Sequence, residues 1–197
     1  MMSFAIFSSV GWMLILKFIH VACGILWMGT SLQPSQYLAL ANQKNKTRFI
    51  LWVATATLIT GLLHIAGNYS LSFYSSWGIS MLLGSALGGV MWMNLFIFIL
   101  PDPKSENLKS SQNFYYTNLI LAIPMLFFME AASHLGIEVN AQSNRWPVLI
   151  SLILPILFIE LCAAFAKGPQ LKSIFNAVFC GVILLAIQYL ALELLTK

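Results

Sequence analysis

The sequence predicts an all-α integral membrane protein, a single domain over residues 1–197 built as a bundle of about six transmembrane helices. Three observations carry this reading. Of 197 residues, 59% are hydrophobic and only 8% are charged, whereas a soluble domain carries about 25% charged residues. The apolar residues fall in runs of roughly 20, the length that crosses a bilayer core about 30 Å thick. Short polar clusters separate the runs and leave no room for a sizeable soluble domain.

The spans follow in order at about 13–33, 48–67, 77–100, 115–136, 147–166 and 172–194. The polar stretch Ala41-Asn42-Gln43-Lys44-Asn45-Lys46 closes the first, and the turn cluster Gly67-Asn68-Tyr69-Ser70 closes the second. Pro101-Asp102-Pro103-Lys104 stops the third, because proline lacks the donor a helix interior needs. Asp102 to Asn113 reads as the longest polar linker. Gly136 to Trp146 is the next, ahead of Pro147 at a helix start. Lys167-Gly168-Pro169 separates the last two spans. The N-terminal Met1 to Val10 lacks the positive start of a signal peptide and reads as mature chain.

The net charge of +4 forms no basic run or patch, which excludes a nucleic-acid footprint and makes the cations topology signals. Lys44, Lys46, Arg48, Lys104, Lys109, Lys167 and Lys172 sit in the 1–2, 3–4 and 5–6 loops, against Arg145 and Lys197 on the other side. The positive-inside rule then puts both termini outside. In a bacterial inner membrane, outside is the periplasm. Cys23, Cys162 and Cys180 lie in apolar runs without a CxxC or CxxCH arrangement, so packing is their expected role.

Ionisable residues in a membrane span are costly and are functional candidates. Here they are Lys17, His20, His64, Glu130, His134 and Glu160. Lys17, His20, Gly24, Trp27 and Ser31 share one helical face at three- and four-residue spacing, with Lys17 snorkelling to the outer surface. His64 lies near the outer end of the second span, on a face with Thr57, Thr60 and Gly61. His134 lies near the outer end of the fourth, with Glu130 one turn deeper. All three histidines thus converge on one membrane surface from three helices.

Three imidazoles can hold zinc if all lie within about 2.1 Å of one ion, yet no HExxH-type motif supports that. A b-type haem needs only one or two axial imidazoles and a flat slot between helices. Gly84, Gly88 and Gly89 on the third span offer such a slot, as do Gly24 and Gly61. Alternatively, these glycines simply let helices approach closely. Trp27 and Trp92 are the aromatic residues placed nearest a haem. Glu160 either snorkels to Lys167 or belongs to a proton path. Asn94 either packs helices together or donates a hydrogen bond to a haem propionate or a substrate.

Lys17-Phe18-Ile19-His20 followed by Gly24-Ile25-Leu26-Trp27-Met28-Gly29 resembles the first-helix signature of the bacterial membrane-bound urate oxidase (urate hydroxylase) family. There, an Arg-Trp-x-His stretch precedes a Trp-Ile-Gly stretch. Gly84 with Met91-Trp92-Met93-Asn94-Leu95-Phe96-Ile97-Phe98-Ile99-Leu100-Pro101 is similar to that family's Gly-…-Ile-Met-x-x-Asn-Val-x-Phe-x-Ile-x-Pro helix. Pro124-Met125-Leu126-Phe127-Phe128-Met129, ending at Ser133-His134, resembles its Leu-Pro-x-x-Phe-Leu-Met-…-Asn-His helix, and Thr60-Gly61 matches a Ser-Gly pair. The likeness covers roughly residues 14–150, in pieces and in order.

The resemblance implies a membrane redox protein passing electrons to cytochrome c. This chain departs from it in four ways. It has no CxxCH, so any cytochrome c is a separate protein. It lacks a block of about two helices between the second and third spans. Leu82 stands where the family has a histidine. One extra residue between Pro124 and His134 turns His134 by about 100°. His64 is the candidate to replace the histidine lost at Leu82. A second, weaker likeness is to short haem-binding membrane proteins that oxidise protoporphyrinogen.

The leading expectation is therefore a haem b redox protein that oxidises a small molecule such as urate. Its axial ligands would come from His20, His134 and His64. Lys17 would pair with a propionate or an anionic substrate, and Glu130 would orient an imidazole. One alternative is a non-catalytic electron-transfer or assembly subunit of a respiratory membrane complex. Another is a small-molecule transporter lined by Lys17, Glu130 and Glu160, although no paired repeat with broken helices supports it.

Overall fold

A computed structural model describes residues 9–32, 44–67, 76–100, 108–130, 145–166, 171 and 173–196. They form helices α1 (Ser9–Ser31), α2 (Lys44–Gly67), α3 (Ser76–Asn94), α4 (Leu108–Glu130), α5 (Arg145–Phe165) and α6 (Ile174–Thr196). A π-helical turn, Leu95–Ile99, extends α3. The described residues contain no strand.

Five helices lie within a few residues of the expected spans. α4 does not: it begins at Leu108, inside the stretch expected to be a linker. The polar residues there bond to neighbouring helices rather than to water. Ser111 Oγ donates to the Phe98 carbonyl at 2.6 Å, and Asn113 Nδ2 donates to the Ala163 carbonyl at 3.5 Å.

Cross-helix pairs fix an up-and-down bundle. His20 meets Thr57 and Gly61, Gly84 meets Met129, and Gly88 meets Met125. Asn113 meets Ala163, and Gln188 meets Leu152. In each pair of helices the residue numbers run in opposite directions. The start of α1 and the end of α6 therefore share one end of the bundle. α4 is the central helix, packed by α3, α5 and α6. Every side chain from Asn113 to Ala122 is buried.

Among the described residues, four helices are long and apolar enough to cross a membrane: α1, α2, α3 with its π turn, and α6. α5 carries a shorter apolar stretch, Ile150–Phe165. α4 falls outside this set because Asn113, Thr117 and Asn118 lower its hydropathy, although all three are buried. The outer surface is strongly apolar, with Phe18, Trp52, Phe158 and Phe175 all exposed. Water would not tolerate so large an apolar surface, whereas acyl chains require it. The composition and surface are those of a helical membrane protein.

In lipid, every backbone group freed by a helix irregularity needs a replacement partner. Pro124 in α4 and Pro155 in α5 each remove a donor and loosen the carbonyls one turn earlier. Near Pro155, the fully buried Gln188 donates to the Leu152 carbonyl at 3.2 Å. Near Pro124, the Ile120 carbonyl lies against Gly181, only 2.7 Å from where a Cβ would stand. Around the π turn, Asn118 Nδ2 donates to the Met91 carbonyl at 3.0 Å, and Ser111 takes that of Phe98.

Candidate functional site

The most ordered polar contact between α1 and α2 is built on His20. Its Nδ1 lies 2.8 Å from the Thr57 carbonyl oxygen and 3.4 Å from Thr60 Oγ1. A carbonyl only accepts, so Nδ1–H is the donor and Nε2 keeps its lone pair. The Thr60 hydroxyl proton goes to the Ala56 carbonyl at 2.6 Å, which leaves its oxygen facing the ring as an acceptor.

Thr57, Thr60 and Gly61 share a face of α2 at helical spacing. Gly61 makes the contact possible, since a Cβ there would stand 2.8 Å from His20 Cε1. One turn along α1, Gly24 approaches Thr57 Cγ2 at a Cβ distance of 3.8 Å. Trp27 follows and is 2% exposed. The α1 face expected from the sequence thus meets α2 at His20 and Gly24, while Lys17 at its start is exposed.

His64 lies one turn beyond Gly61 on α2, and Lys17 one turn before His20 on α1. Lys17 and His64 lie towards the same end of the antiparallel α1–α2 pair, but His20 does not lie near a surface as expected: it is at the middle of the Gly11–Thr30 span, because α1 begins at Ser9. His134, the third expected histidine, lies outside the described residues. Glu130 is exposed at the end of α4. Among the described residues, no group of three or more His, Cys, Asp or Glu is arranged to hold a metal ion.

The slot expected along α3 is filled by side chains. Met125 Sδ lies 3.5 Å from the Cβ position of Gly88, and Met129 Cγ lies 2.7 Å from that of Gly84. These glycines let α3 and α4 approach closely. Gly89 has open space beside it. Trp92 Nε1 donates to Thr55 Oγ1 at 3.0 Å, joining α3 to α2, and its ring stacks on Phe96.

Asn94, 3% exposed, spends both amide hydrogens inside the bundle. They go to Asn118 Oδ1 at 2.9 Å and to Glu160 Oε1 at 2.8 Å. Lys167, the alternative neighbour of Glu160, lies outside the described residues. Asn118 is the residue that sequence reading passed over. It sits at the polar edge of α4, and the one available signal was an asparagine one helical turn deeper than a linker should reach.

No known protein family, curated protein or solved structure matches this chain. The fit of haem b therefore rests on geometry. Ligating histidines almost always donate their other ring N–H to a carbonyl or carboxylate. His20 has this arrangement in place, with Nε2 as its remaining ligating atom and His64 nearby. Gly84, Gly88 and Asn94 are engaged in packing between helices.

Proposed function

We propose that this chain is a multi-pass membrane protein that holds haem b at the α1–α2 pair and works in electron transfer. In this reading α4 and α5 also cross the bilayer. Both termini face outward, as they would in a bacterial inner membrane. The observation that carries the proposal is the Nδ1–H bond from His20 to the Thr57 carbonyl. It fixes the tautomer and ring orientation with which His20 Nε2 would hold the haem iron. Haem b bound there supplies one-electron chemistry.

The protein's own residues do the rest. Thr57 and Thr60 orient His20, and Gly61 makes room for its ring. His64, towards the end of α2, would be the second histidine of the site. Lys17 places a positive charge beside the pair, suited to a propionate or an anionic small molecule such as urate. The resemblance to membrane-bound urate oxidases supports oxidation of such a substrate, with electrons passed to a separate cytochrome c.

The test is the reduced-minus-oxidised spectrum of the detergent-purified protein with the His20→Ala and His64→Ala variants. A Soret band with b-type α and β bands, lost in His20→Ala, supports the reading. A stable, correctly folded, colourless protein that takes up no added haem overturns it.

A further inference from the structure

Glu160 places a carboxyl among three helices towards the end of the bundle where α3 and α5 finish. Its Oε1 accepts from Asn94 at 2.8 Å, and the same Asn94 amide donates to Asn118 at 2.9 Å. Asn118 in turn donates to the Met91 carbonyl at 3.0 Å. One chain of hydrogen bonds therefore runs through α5, α3 and α4 and ends on the backbone just before the π turn. Every donor in this chain points towards an acceptor, and Glu160 is its terminus.

The depth follows from helix geometry. Asn94 lies five residues before Ile99, the end of the α3 apolar span, which at 1.5 Å per residue is about 7.5 Å inside it. Among the described residues around the carboxyl none brings a counter-charge to this level, and Lys167 and Lys172 lie outside them. α3 has no ionisable side chain from Gly78 to Leu100. α4 brings Tyr115 and Tyr116, with Glu130 at the far end. Its first turn includes Lys109, whose side chain lies outside the described residues. α5 itself adds Cys162, and α6 adds Cys180, with Tyr189 and Glu193 towards the other end. An ionised carboxylate without a cation is costly in such surroundings, whereas a carboxyl that takes up a cation from solution is not. Glu160 is half-buried rather than sealed inside the bundle. A π-helical turn next to it adds a segment of the kind that recurs at functional sites.

We propose that Glu160, held by Asn94 and Asn118, is an intramembrane proton-binding site loaded from the α5 C-terminal end of the bundle. The ligand is a proton. The carboxylate oxygen forms the O–H bond on loading, and the same bond breaks on release, while Asn94 keeps its hydrogen bond to Oε1. The proposal rests on α5 crossing the bilayer, and not on haem.

The test uses the full chain in detergent micelles or vesicles with two reagents. Dicyclohexylcarbodiimide is apolar. The protonated carboxyl adds across its C=N bond, its proton passes to nitrogen, and rearrangement leaves an N-acylurea without a leaving group. A water-soluble carbodiimide performs the same addition from the aqueous phase. Peptide mass spectrometry then reads the adduct at Glu160, Glu130 and Glu193 over an acid-to-alkaline pH series. The expected result is labelling at Glu160 by the apolar reagent alone, falling as pH rises and abolished in Glu160→Gln. No labelling at Glu160 at any pH, with Glu130 labelled, overturns the proposal. Protection by sodium at constant pH also overturns it, in favour of a metal-cation site. Equal labelling by both reagents shows a water-exposed carboxyl, and the reading of α5 as a spanning helix then fails first.

Discussion

Gly61→Ala separates the orientation of His20 from the stability of the fold. A Cβ at residue 61 would stand 2.8 Å from His20 Cε1 and 3.2 Å from Nδ1, where ordinary contact begins at 3.4 Å. The ring must withdraw by about 0.6 Å to restore contact, the difference between 2.8 and 3.4 Å. The same withdrawal stretches the Nδ1···O bond to Thr57 from 2.8 Å towards about 3.4 Å, past the usual range for such a bond. Losing it costs about 1 kcal/mol. Alanine in place of glycine in a helix returns about the same amount. The fold should therefore be nearly as stable as before, while the ring has lost its anchor. For metal-ligating histidines, loss of the outer hydrogen bond typically lowers affinity by about 10–100-fold. Haem titration of the apo-protein, followed at the Soret band, measures this directly, with detergent unfolding run in parallel. A Gly61→Ala protein that is equally stable and titrates within about twofold of the parent would refute the role of the Thr57 carbonyl.

Two further substitutions test the polar contacts between helices. Asn118→Leu removes the bond to the Met91 carbonyl and leaves one Asn94 hydrogen without its acceptor, and should cost about 1–3 kcal/mol in dodecyl sulfate unfolding from mild micelles. A loss below about 0.5 kcal/mol would show that water or lipid replaces those bonds without cost. Trp92→Phe keeps the stack on Phe96, at 5.4 Å between centroids, but deletes the N–H bond to Thr55. The expected loss is about 0.5–1 kcal/mol in the same assay, and a larger one would mean the indole fills space that phenylalanine does not.

The helix boundaries were legible wherever the chain marks them with prolines, turn residues and polar clusters. Pro101 and the Gly67 to Ser70 cluster fall at or just beyond the ends of described helices. The start of α4 was not legible because composition cannot tell a polar residue in water from one bonded to a neighbouring helix. Ser111 and Asn113 read as linker, yet they bond to Phe98 and Ala163. Helical spacing did place His20, Gly24 and Trp27 on one face and Thr57, Thr60 and Gly61 on another. That the two faces meet through one ring nitrogen and one carbonyl is a matter of depth and crossing, which spacing does not contain. Glu160 was visible as an ionisable residue in a span. Its neighbours Asn94 and Asn118 stand 66 and 42 positions away, so their convergence belongs to tertiary structure alone.

Gly181 carries the same lesson and gives it a number. Nothing in its local sequence distinguishes it from Gly89, and both sit in helix interiors. Gly181 faces α4 where Pro124 has removed a backbone donor. A Cβ there would stand 2.7 Å from the Ile120 carbonyl oxygen and 2.8 Å from Ile123 Cγ1. Neither atom is the end of a flexible chain, so α4 and α6 must separate by about 0.7 Å to reach the 3.4 Å of ordinary contact. Overpacking of this kind costs about 1–3 kcal/mol. Gly89 has nothing within 4 Å of its Cβ position. The helix-propensity gain of about 1 kcal/mol applies to Ala at both sites and cancels in the comparison. Gly89→Ala should therefore be neutral to stabilising, and Gly181→Ala less stable than it by about 1–3 kcal/mol. If both variants shift unfolding equally, α4 and α6 are not in the close contact described, and the Ile120 carbonyl freed by Pro124 must find its partner elsewhere.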